Sequence, residues 1–299
     1  MIQLGPLRLD TPLVAAAGTF GSIVEFAEVT SLDAYGALVA KSVSSEPWPG
    51  RPAPRVAGTD VGMLNGIGIQ NPGIDSWLDT VAPGFVSLGV PVWGSAVGRT
   101  PGEFADVAGK MSLGGVAALE INLSCPNLEG HSIMALDPKS SSEVIREVRS
   151  VAKVPVGAKL SPNASNIVEI AAAVGEAGAD FLTLTNTVKG AAIDIESRRP
   201  VLSGIIGGYS GPAIKPISLA CVLEVHAALP EIPIVGCGGV RSGRDVVEYL
   251  LAGATAVALG TVHFVEPRAG ERVLRETLDL VTRLGAHDPS ELIGGMQSW

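Results

Sequence analysis

Short apolar segments alternate with helix-like segments along almost the whole chain. Eight segments are rich in Val, Leu, Ile and Ala without alternating polar residues: Pro12–Gly18, Ala37–Val43, Pro91–Val97, Ala117–Ser124, Pro155–Leu160, Phe181–Asn186, Pro233–Cys237 and Ala256–Gly260. This composition is typical of parallel strands that are covered on both faces. Eight such units in 299 residues predict an α/β fold, a single (β/α)8 TIM barrel domain over residues 1–299 with inserted loops at its C-terminal face.

The segments between the strands have helical spacing. The clearest are Ser142–Val151 and Ile167–Ala177, and the last two are Asp245–Ala252 and Arg268–Arg283. We predict helix N-caps at three serines, Ser142, Ser165 and Ser242. The main alternative to a barrel is an open doubly wound sheet, but Gly18-Thr19-Phe20-Gly21 after the first strand is not a dinucleotide fingerprint. Residues 1–10 are predicted to form a hairpin that closes the bottom of the barrel.

Composition excludes several classes of function. The net charge of −9 argues against nucleic-acid binding. The three cysteines, Cys125, Cys221 and Cys237, are far apart and lack metal-ligand spacing, so we expect no disulfide framework and no metal site. The chain shows no signal peptide and no apolar run near the ~20 residues of a membrane span, which predicts no membrane contact and a cytoplasmic location.

Reactive side chains follow the ends of the predicted strands, where barrel enzymes carry their active sites. Lys41 and Lys159 each close an apolar strand, where an unpaired charge is costly and an anionic ligand would be favourable. Cys125 follows the fourth strand and is either an inert small hydrophobe or a base or nucleophile. Gly238-Gly239 and Gly260-Thr261 end the last two strands and predict a phosphate site beside a helix N-terminus.

Two connections are too long for simple βα loops: 54 positions separate Lys41 from Ser95, and 52 separate Asn186 from Gly238. Long ordered loops usually carry binding or assembly, although decoration or dimer contact is the alternative. Amide side chains can recognise a planar ring that bears carbonyl and N–H groups. A cluster of asparagines suits such a ring: Asn65, Asn122, Asn127 and Asn186. Asn71, before a proline, is interpreted as a turn residue, and no histidine is assigned to catalysis.

Six motifs resemble those of the class 1 dihydroorotate dehydrogenases. Along the chain they are MLNGIGIQNPG, EINLSCPN, AKLSPN, LTNT, SGPAIKP and GCGGV…LGT. The KLSPN and GGYSGPAIKP segments are similar to the catalytic subunit of the NAD-linked class 1B enzymes. The resemblance implies a barrel that holds FMN at the strand mouths and oxidises (S)-dihydroorotate to orotate in pyrimidine biosynthesis. It also implies a homodimer, or a heterotetramer with an electron-transfer subunit that carries FAD and an iron–sulfur cluster.

Three alternatives remain open at this point. The chain could be a fumarate-linked dihydroorotate dehydrogenase, or another FMN barrel oxidoreductase that acts on a different pyrimidine or an enone. A non-catalytic phosphate-binding scaffold is the third, but it leaves Cys125, Lys41 and the asparagines without a role.

The resemblance also assigns roles by position. Cys125 would be the base that removes the C5 proton, and Lys41 would touch both flavin and orotate. The implied substrate-binding residues are Lys41, Asn65, Gly66, Ile67, Gly68, Ile69, Asn122, Asn186 and Thr187. The implied FMN-binding residues are Ala17, Lys41, Ser42, Ser95, Asn122, Lys159, Thr185, Gly211, Gly238, Gly239, Gly260 and Thr261. Family members often have serine at position 17 and asparagine at position 95, so Ala17 and Ser95 remove or shorten polar contacts to the flavin.

We predict that Cys125→Ala retains flavin but slows its reduction by dihydroorotate on the order of a hundredfold or more, because the proton acceptor is lost. Stopped-flow absorbance of the flavin measures this rate. Turnover equal to that of the unsubstituted protein would remove the thiol from the mechanism.

Overall fold

The structure is a computed structural model that describes residues 1–123 and 136–299. Its strands are β1 (Ile2–Leu4), β2 (Leu7–Leu9), β3 (Leu13–Ala15), β4 (Ala37–Val39), β5 (Val56–Thr59), β6 (Gly62–Asn65), β7 (Val92–Ala96), β8 (Ala118–Asn122), β9 (Val156–Lys159), β10 (Phe181–Leu184), β11 (Val188–Gly190), β12 (Ile193–Asp194), β13 (Arg199–Pro200), β14 (Gly207–Ser210), β15 (Ile234–Cys237) and β16 (Ala256–Leu259). Its α-helices are α1 (Ile74–Thr80), α2 (Pro101–Met111), α3 (Pro138–Val151), α4 (Ile167–Glu176), α5 (Lys215–Ala228), α6 (Gly243–Leu251) and α7 (Ala269–Arg283).

Eight strands close into a parallel barrel in the order β3-β4-β7-β8-β9-β10-β15-β16, and β16 pairs back with β3. Each of the eight apolar segments predicted from the sequence contains one of these strands, so the barrel is confirmed and the open sheet is wrong. The observed strands are shorter than the predicted segments, and Asn122 and Lys159 at the ends of β8 and β9 remain in the ladder.

The core has two layers, one inside the barrel and one between the barrel and its helices. In the inner layer, the buried rings of Trp93 and Phe181 pack with centroids 4.9 Å apart. The same layer contains Ile2, Leu4 and Leu9 of the β1–β2 hairpin. The predicted N-terminal hairpin therefore exists, and its apolar side chains fill the inner layer of the barrel.

One of the three predicted N-caps is confirmed. The Ser242 side chain accepts a hydrogen bond from the Asp245 amide and forms a capping box at the start of α6. The predictions for Ser142 and Ser165 are wrong. Helix α3 begins earlier, at a proline capped by Asp137, and α4 is capped by Asn166. Proline fits the first helical position because it has no N–H to leave unpaired.

The two long connections pair with each other. They form an antiparallel sheet in the order β11-β14-β6-β5, in which Asn65 of β6 lies opposite Gly208 of β14. Residues of this sheet line the large cavity at the strand ends, so both insertions help to enclose the site. None of the helices in the described part of the chain is long and apolar enough to span a membrane.

We predict that Gly157→Ala lowers the free energy of unfolding by about 2 kcal/mol, because the added methyl group would overlap the buried Phe181 ring. Gly102→Ala is the matched control, since Gly102 lies on the exposed first turn of α2 and has no atom within 4 Å of the new methyl group. We expect the control to be neutral or slightly stabilising. Urea unfolding of the apoproteins measures both, and equal effects would contradict the prediction.

Candidate active site

A cavity of about 1130 Å³ lies between the barrel mouth and the insertion sheet. Small-molecule sites typically measure roughly 300–1,000 Å³. The cavity is therefore large enough for a cofactor together with a small substrate. It opens at the carboxyl ends of the strands, where the sequence predicted the site.

Most of the predicted site residues line this cavity. They are Ala17, Lys41, Ser42, Asn65, Ile67, Ile69, Asn122, Lys159, Thr185, Asn186, Thr187, Gly211, Gly238, Gly239, Gly260 and Thr261. Gly66, Gly68 and Ser95 do not line it. Cys125 and Asn127 lie outside the described residues. The individual roles of these residues stay predictions.

Lys159 is a buried lysine at the end of β9 that lines the cavity. Its Nζ lies 3.4 Å from Oε1 of Glu120, whose side chain is 2% exposed. The other carboxylate oxygen accepts a hydrogen bond of 2.9 Å from the Thr183 hydroxyl. Burial is the largest influence on the pKa of Lys159 and lowers it, but the charge and hydrogen bond of Glu120 and the neighbouring Cys237 together raise it by more, so the pKa lies above its usual value. The ammonium group therefore stays charged at neutral pH.

The role of Glu120 was missed from the sequence. A signal existed, because Glu120 is a charged residue inside an otherwise apolar strand and such a residue requires a partner. Its partner could not be identified without the barrel register, which sets Asn122 of β8 beside Lys159 of β9, and Thr183 of β10 beside the same lysine.

The amide side chains meet at the mouths of β8 and β10. The Nδ2 atom of Asn186 lies 3.4 Å from Oδ1 of Asn122, and Nδ2 of Asn122 donates to the Ser42 hydroxyl at 3.1 Å. Asn65 reaches the cavity from the insertion sheet and donates to the Gly208 carbonyl at 3.2 Å. Asn71 also lines the cavity, but its side chain accepts from the Gly73 amide, which agrees with the interpretation as a turn residue.

The loop after β15 has the features of a phosphate site. The amide groups of Gly239 and Val240 line the cavity and donate no hydrogen bond to any residue in the described ranges. Gly239 has φ +70° and a side chain there would press on the Gly211 carbonyl. The buried Tyr249 hydroxyl donates to the Gly238 carbonyl at 2.8 Å and holds the loop. Such unpaired amides beside a helix N-terminus suit a phosphate group.

Two further residues border this end of the cavity. Arg241 lines it and was missed, although its position directly after GCGGV was the available signal. Burial raises the pKa of the Cys237 thiol. Cys237 therefore stays protonated at neutral pH, which agrees with a structural role.

His263 is buried beside the cavity wall and joins two loops. The Thr19 hydroxyl donates to the Ala16 carbonyl at 2.8 Å and lies 3.1 Å from Nδ1 of His263, while the Tyr35 hydroxyl lies 2.9 Å from Nε2. Since the Thr19 proton is used on Ala16, Nδ1 carries the ring proton and Nε2 accepts from Tyr35. Burial lowers the pKa of His263 to about 3. The ring is therefore neutral and structural.

Together these features define a (β/α)8-barrel protein with a deep site at the strand mouths, built from a buried cation, clustered amides and a glycine loop suited to phosphate.

Comparison with known proteins identifies the family. The sequence model of the family described as Dihydroorotate dehydrogenase matches residues 2–281. The chain is 41% identical over 298 residues to "Dihydroorotate dehydrogenase B (NAD(+)), catalytic subunit" of Geobacter sp. (strain M21), covering 99% of this chain and 97% of that protein. It is 40% identical over 296 residues to the protein of the same name from Alkaliphilus metalliredigens, covering 99% and 98%.

A solved structure agrees in fold. Dihydroorotate dehydrogenase from Eimeria tenella, in complex with ferulenol, superposes with a TM-score of 0.82 at 21% identity, covering 98% of this chain and 87% of that chain. The chain belongs to the dihydroorotate dehydrogenase family. The predictions of the barrel, of the family and of its enzyme class are therefore confirmed.

We predict that Glu120→Leu lowers the free energy of unfolding by about 3 kcal/mol, because it leaves the Lys159 ammonium buried without a counter-charge. The double variant E120L/K159M should recover most of the loss, since no buried charge remains. Urea unfolding of the apoproteins at pH 7 measures both.

Asp75→Asn provides the control for this cycle. Asp75 pairs with Lys110 at 3.0 Å on the exposed surface, so its loss should cost less than about 1 kcal/mol. The losses in free energy of unfolding for Glu120→Leu and Lys159→Met can be added and compared with the loss for E120L/K159M. A loss for the double variant equal to that sum would show that Lys159 and Glu120 do not stabilise each other.

Proposed function

We propose that this chain is the catalytic subunit of an NAD-linked dihydroorotate dehydrogenase, which oxidises (S)-dihydroorotate to orotate in pyrimidine biosynthesis. One observation carries the proposal: the strand ends bring Lys41, Lys159, Asn122 and Asn186 to a single cavity that also contains the glycine loops. The proposal takes residues 1–299 as one FMN-binding catalytic domain.

The residues present fit FMN. The free amides of Gly239 and Val240 suit its phosphate, and the cavity, which Lys159 lines, is large enough for its ring system. We assign FMN binding to the predicted residues that line the cavity, and we expect the Lys159 charge to stabilise negative charge on the cofactor. When bound, FMN supplies the acceptor for the hydride from C6 of the substrate.

Lys41 and the asparagines are assigned to the substrate. Lys41 lies against the first loop, where a Cβ atom at Gly18 would be 3.4 Å from its Nζ. An ammonium at this position would attract the substrate carboxylate, and the amides of Asn65, Asn122 and Asn186 offer donors and acceptors to the pyrimidine ring. These residues would hold the ring in one orientation while the cavity walls exclude water.

Cys125 is assigned as the base, on its motif and its place three residues after β8. Its thiolate would take the C5 proton as the C6 hydride leaves, so the substrate loses one proton and one hydride and gains the C5–C6 double bond. A free thiol has a pKa of ~8.5, which allows base catalysis near neutral pH where the site favours thiolate.

The proposed partner proteins follow from the assignment to the NAD-linked enzymes. We propose an electron-transfer subunit that carries FAD and an iron–sulfur cluster, because the sequence of this chain contains neither a cluster motif nor a dinucleotide fingerprint through which it could reduce NAD itself. A homodimer of the catalytic chain, its assembly with that subunit into a heterotetramer, and a cytoplasmic location complete the proposal.

We expect the purified chain to be yellow and to bleach with dihydroorotate under anaerobic conditions. Anaerobic absorbance spectroscopy checks this, and dihydrouracil, which lacks the carboxylate, is the control that should not bleach it. A colourless protein that FMN cannot reconstitute would contradict the proposal. Reoxidation by fumarate without any second subunit would instead point to the fumarate-linked alternative.

A further inference from the structure

Four side chains form a hydrogen-bonded network that begins on the main chain. The Thr187 amide donates to Oδ1 of Asn186 at 2.7 Å, and Nδ2 of Asn186 lies 3.4 Å from Oδ1 of Asn122. Nδ2 of Asn122 donates to the Ser42 hydroxyl at 3.1 Å, and the hydroxyls of Ser42 and Ser95 are 2.9 Å apart. We call Asn186, Asn122, Ser42 and Ser95 the amide–hydroxyl network.

The main-chain end fixes the direction of the network. A peptide N–H can only donate, so the carbonyl of the Asn186 amide faces it and the NH2 group faces Asn122. The Asn122 amide must then present its carbonyl to Asn186 and its NH2 group to Ser42. One of the two acceptor positions on the Ser42 oxygen is therefore filled by Asn122.

Ser95 supplies the second contact to that oxygen. Its side chain is fully buried and does not line the cavity. Within the described ranges, Ser42 is the only hydrogen-bond partner of the Ser95 hydroxyl. A buried hydroxyl proton that is not donated costs about 1–3 kcal/mol. Ser95 therefore donates to Ser42, which fills the remaining acceptor position.

Ser42 is left with its own proton, and Ser42 lines the cavity. We infer that Ser95 is a positioning residue that makes Ser42 a hydrogen-bond donor toward FMN; this inference rests on the proposed function. Ser42 would then select an acceptor atom on the cofactor, a carbonyl oxygen or an unprotonated ring nitrogen. A serine too short and too buried to reach the cavity would thus still act on the flavin.

The test is a double-substitution cycle on FMN affinity. The dissociation constant of FMN from each apoprotein is measured by flavin fluorescence. Ser95→Ala should weaken binding about fivefold, because the Ser42 proton is no longer held toward the cavity. Ser42→Ala should weaken it at least as much. S42A/S95A should bind no more weakly than Ser42→Ala alone, since Ser95 acts only through Ser42.

Ser112→Ala is the matched control. Ser112 is also buried and donates to the Ala108 carbonyl at 2.8 Å at the end of α2. It should lower the Tm and leave the FMN dissociation constant within twofold of the parent protein. Ser95→Thr, which keeps the hydroxyl group, should restore most of the affinity lost in Ser95→Ala.

Two outcomes would overturn the inference. One is an FMN affinity for Ser95→Ala within twofold of the parent protein, even with a lowered Tm. The other is a double variant in which the two losses multiply, because Ser95 would then act independently of Ser42. A parent protein that binds no FMN would instead refute the proposed function, so the two failures can be told apart.

Discussion

The buried ion pair between Lys159 and Glu120 is the interaction on which the site depends. An isolated ammonium at the base of the cavity would cost several kcal/mol of desolvation. Glu120 at 3.4 Å offsets that cost, and the Thr183 hydroxyl satisfies the second carboxylate oxygen. The three residues lie on the neighbouring strands β8, β9 and β10. The positive charge of the site is therefore held by the barrel wall itself.

The opposite wall of the cavity comes from the insertions. Strand β6 pairs with β14, which is the eighth strand after it along the chain, and Asn65 donates to the Gly208 carbonyl across that pairing. Arg51 strengthens the same junction by donating to the Ile206 carbonyl at 2.9 Å. The barrel strands hold the charged side chains in fixed positions. The paired insertions cover the cavity and can exclude water from it.

The sequence predicted those parts of the fold and site that depend on local pattern. Apolar segments located all eight barrel strands, and strand-end positions located Lys159, Asn122 and Gly238 because parallel strands present their carboxyl ends together. Side-chain contacts that depend on the register between strands could not be predicted from the sequence. The carboxylate of Glu120 and the hydroxyl of Ser95 acquire their partners only when neighbouring strands align.

Helix start signals and turn glycines also limited what the sequence could predict. Helix α3 begins four residues before the predicted cap at Ser142, because Asp137 followed by proline is a stronger start signal. The resemblance assigned every residue from Asn65 to Ile69 to the substrate; Gly66 and Gly68 do not line the cavity, and their roles stay predictions. Gly68 has φ +71° and packs against the Arg51 backbone, so it shapes the loop while Ile67 and Ile69 line the cavity.

A carboxylate lies close to the proposed phosphate site, and the structure compensates its negative charge. Asp245 lies in the first turn of α6, close to the loop whose amides would receive a dianionic phosphate. Burial raises the pKa of Asp245, but hydrogen bonds from Lys215 at 2.7 Å, from the Arg241 amide and from the Ser242 hydroxyl together lower it by more. The carboxylate stays ionised, and the Lys215 ammonium compensates its charge.

Because Asp245 takes up the amides of Arg241 and Ser242, the preceding amides of Gly239 and Val240 are the ones left for the ligand. The capping box thus leaves the Gly239 and Val240 amides available to the proposed phosphate.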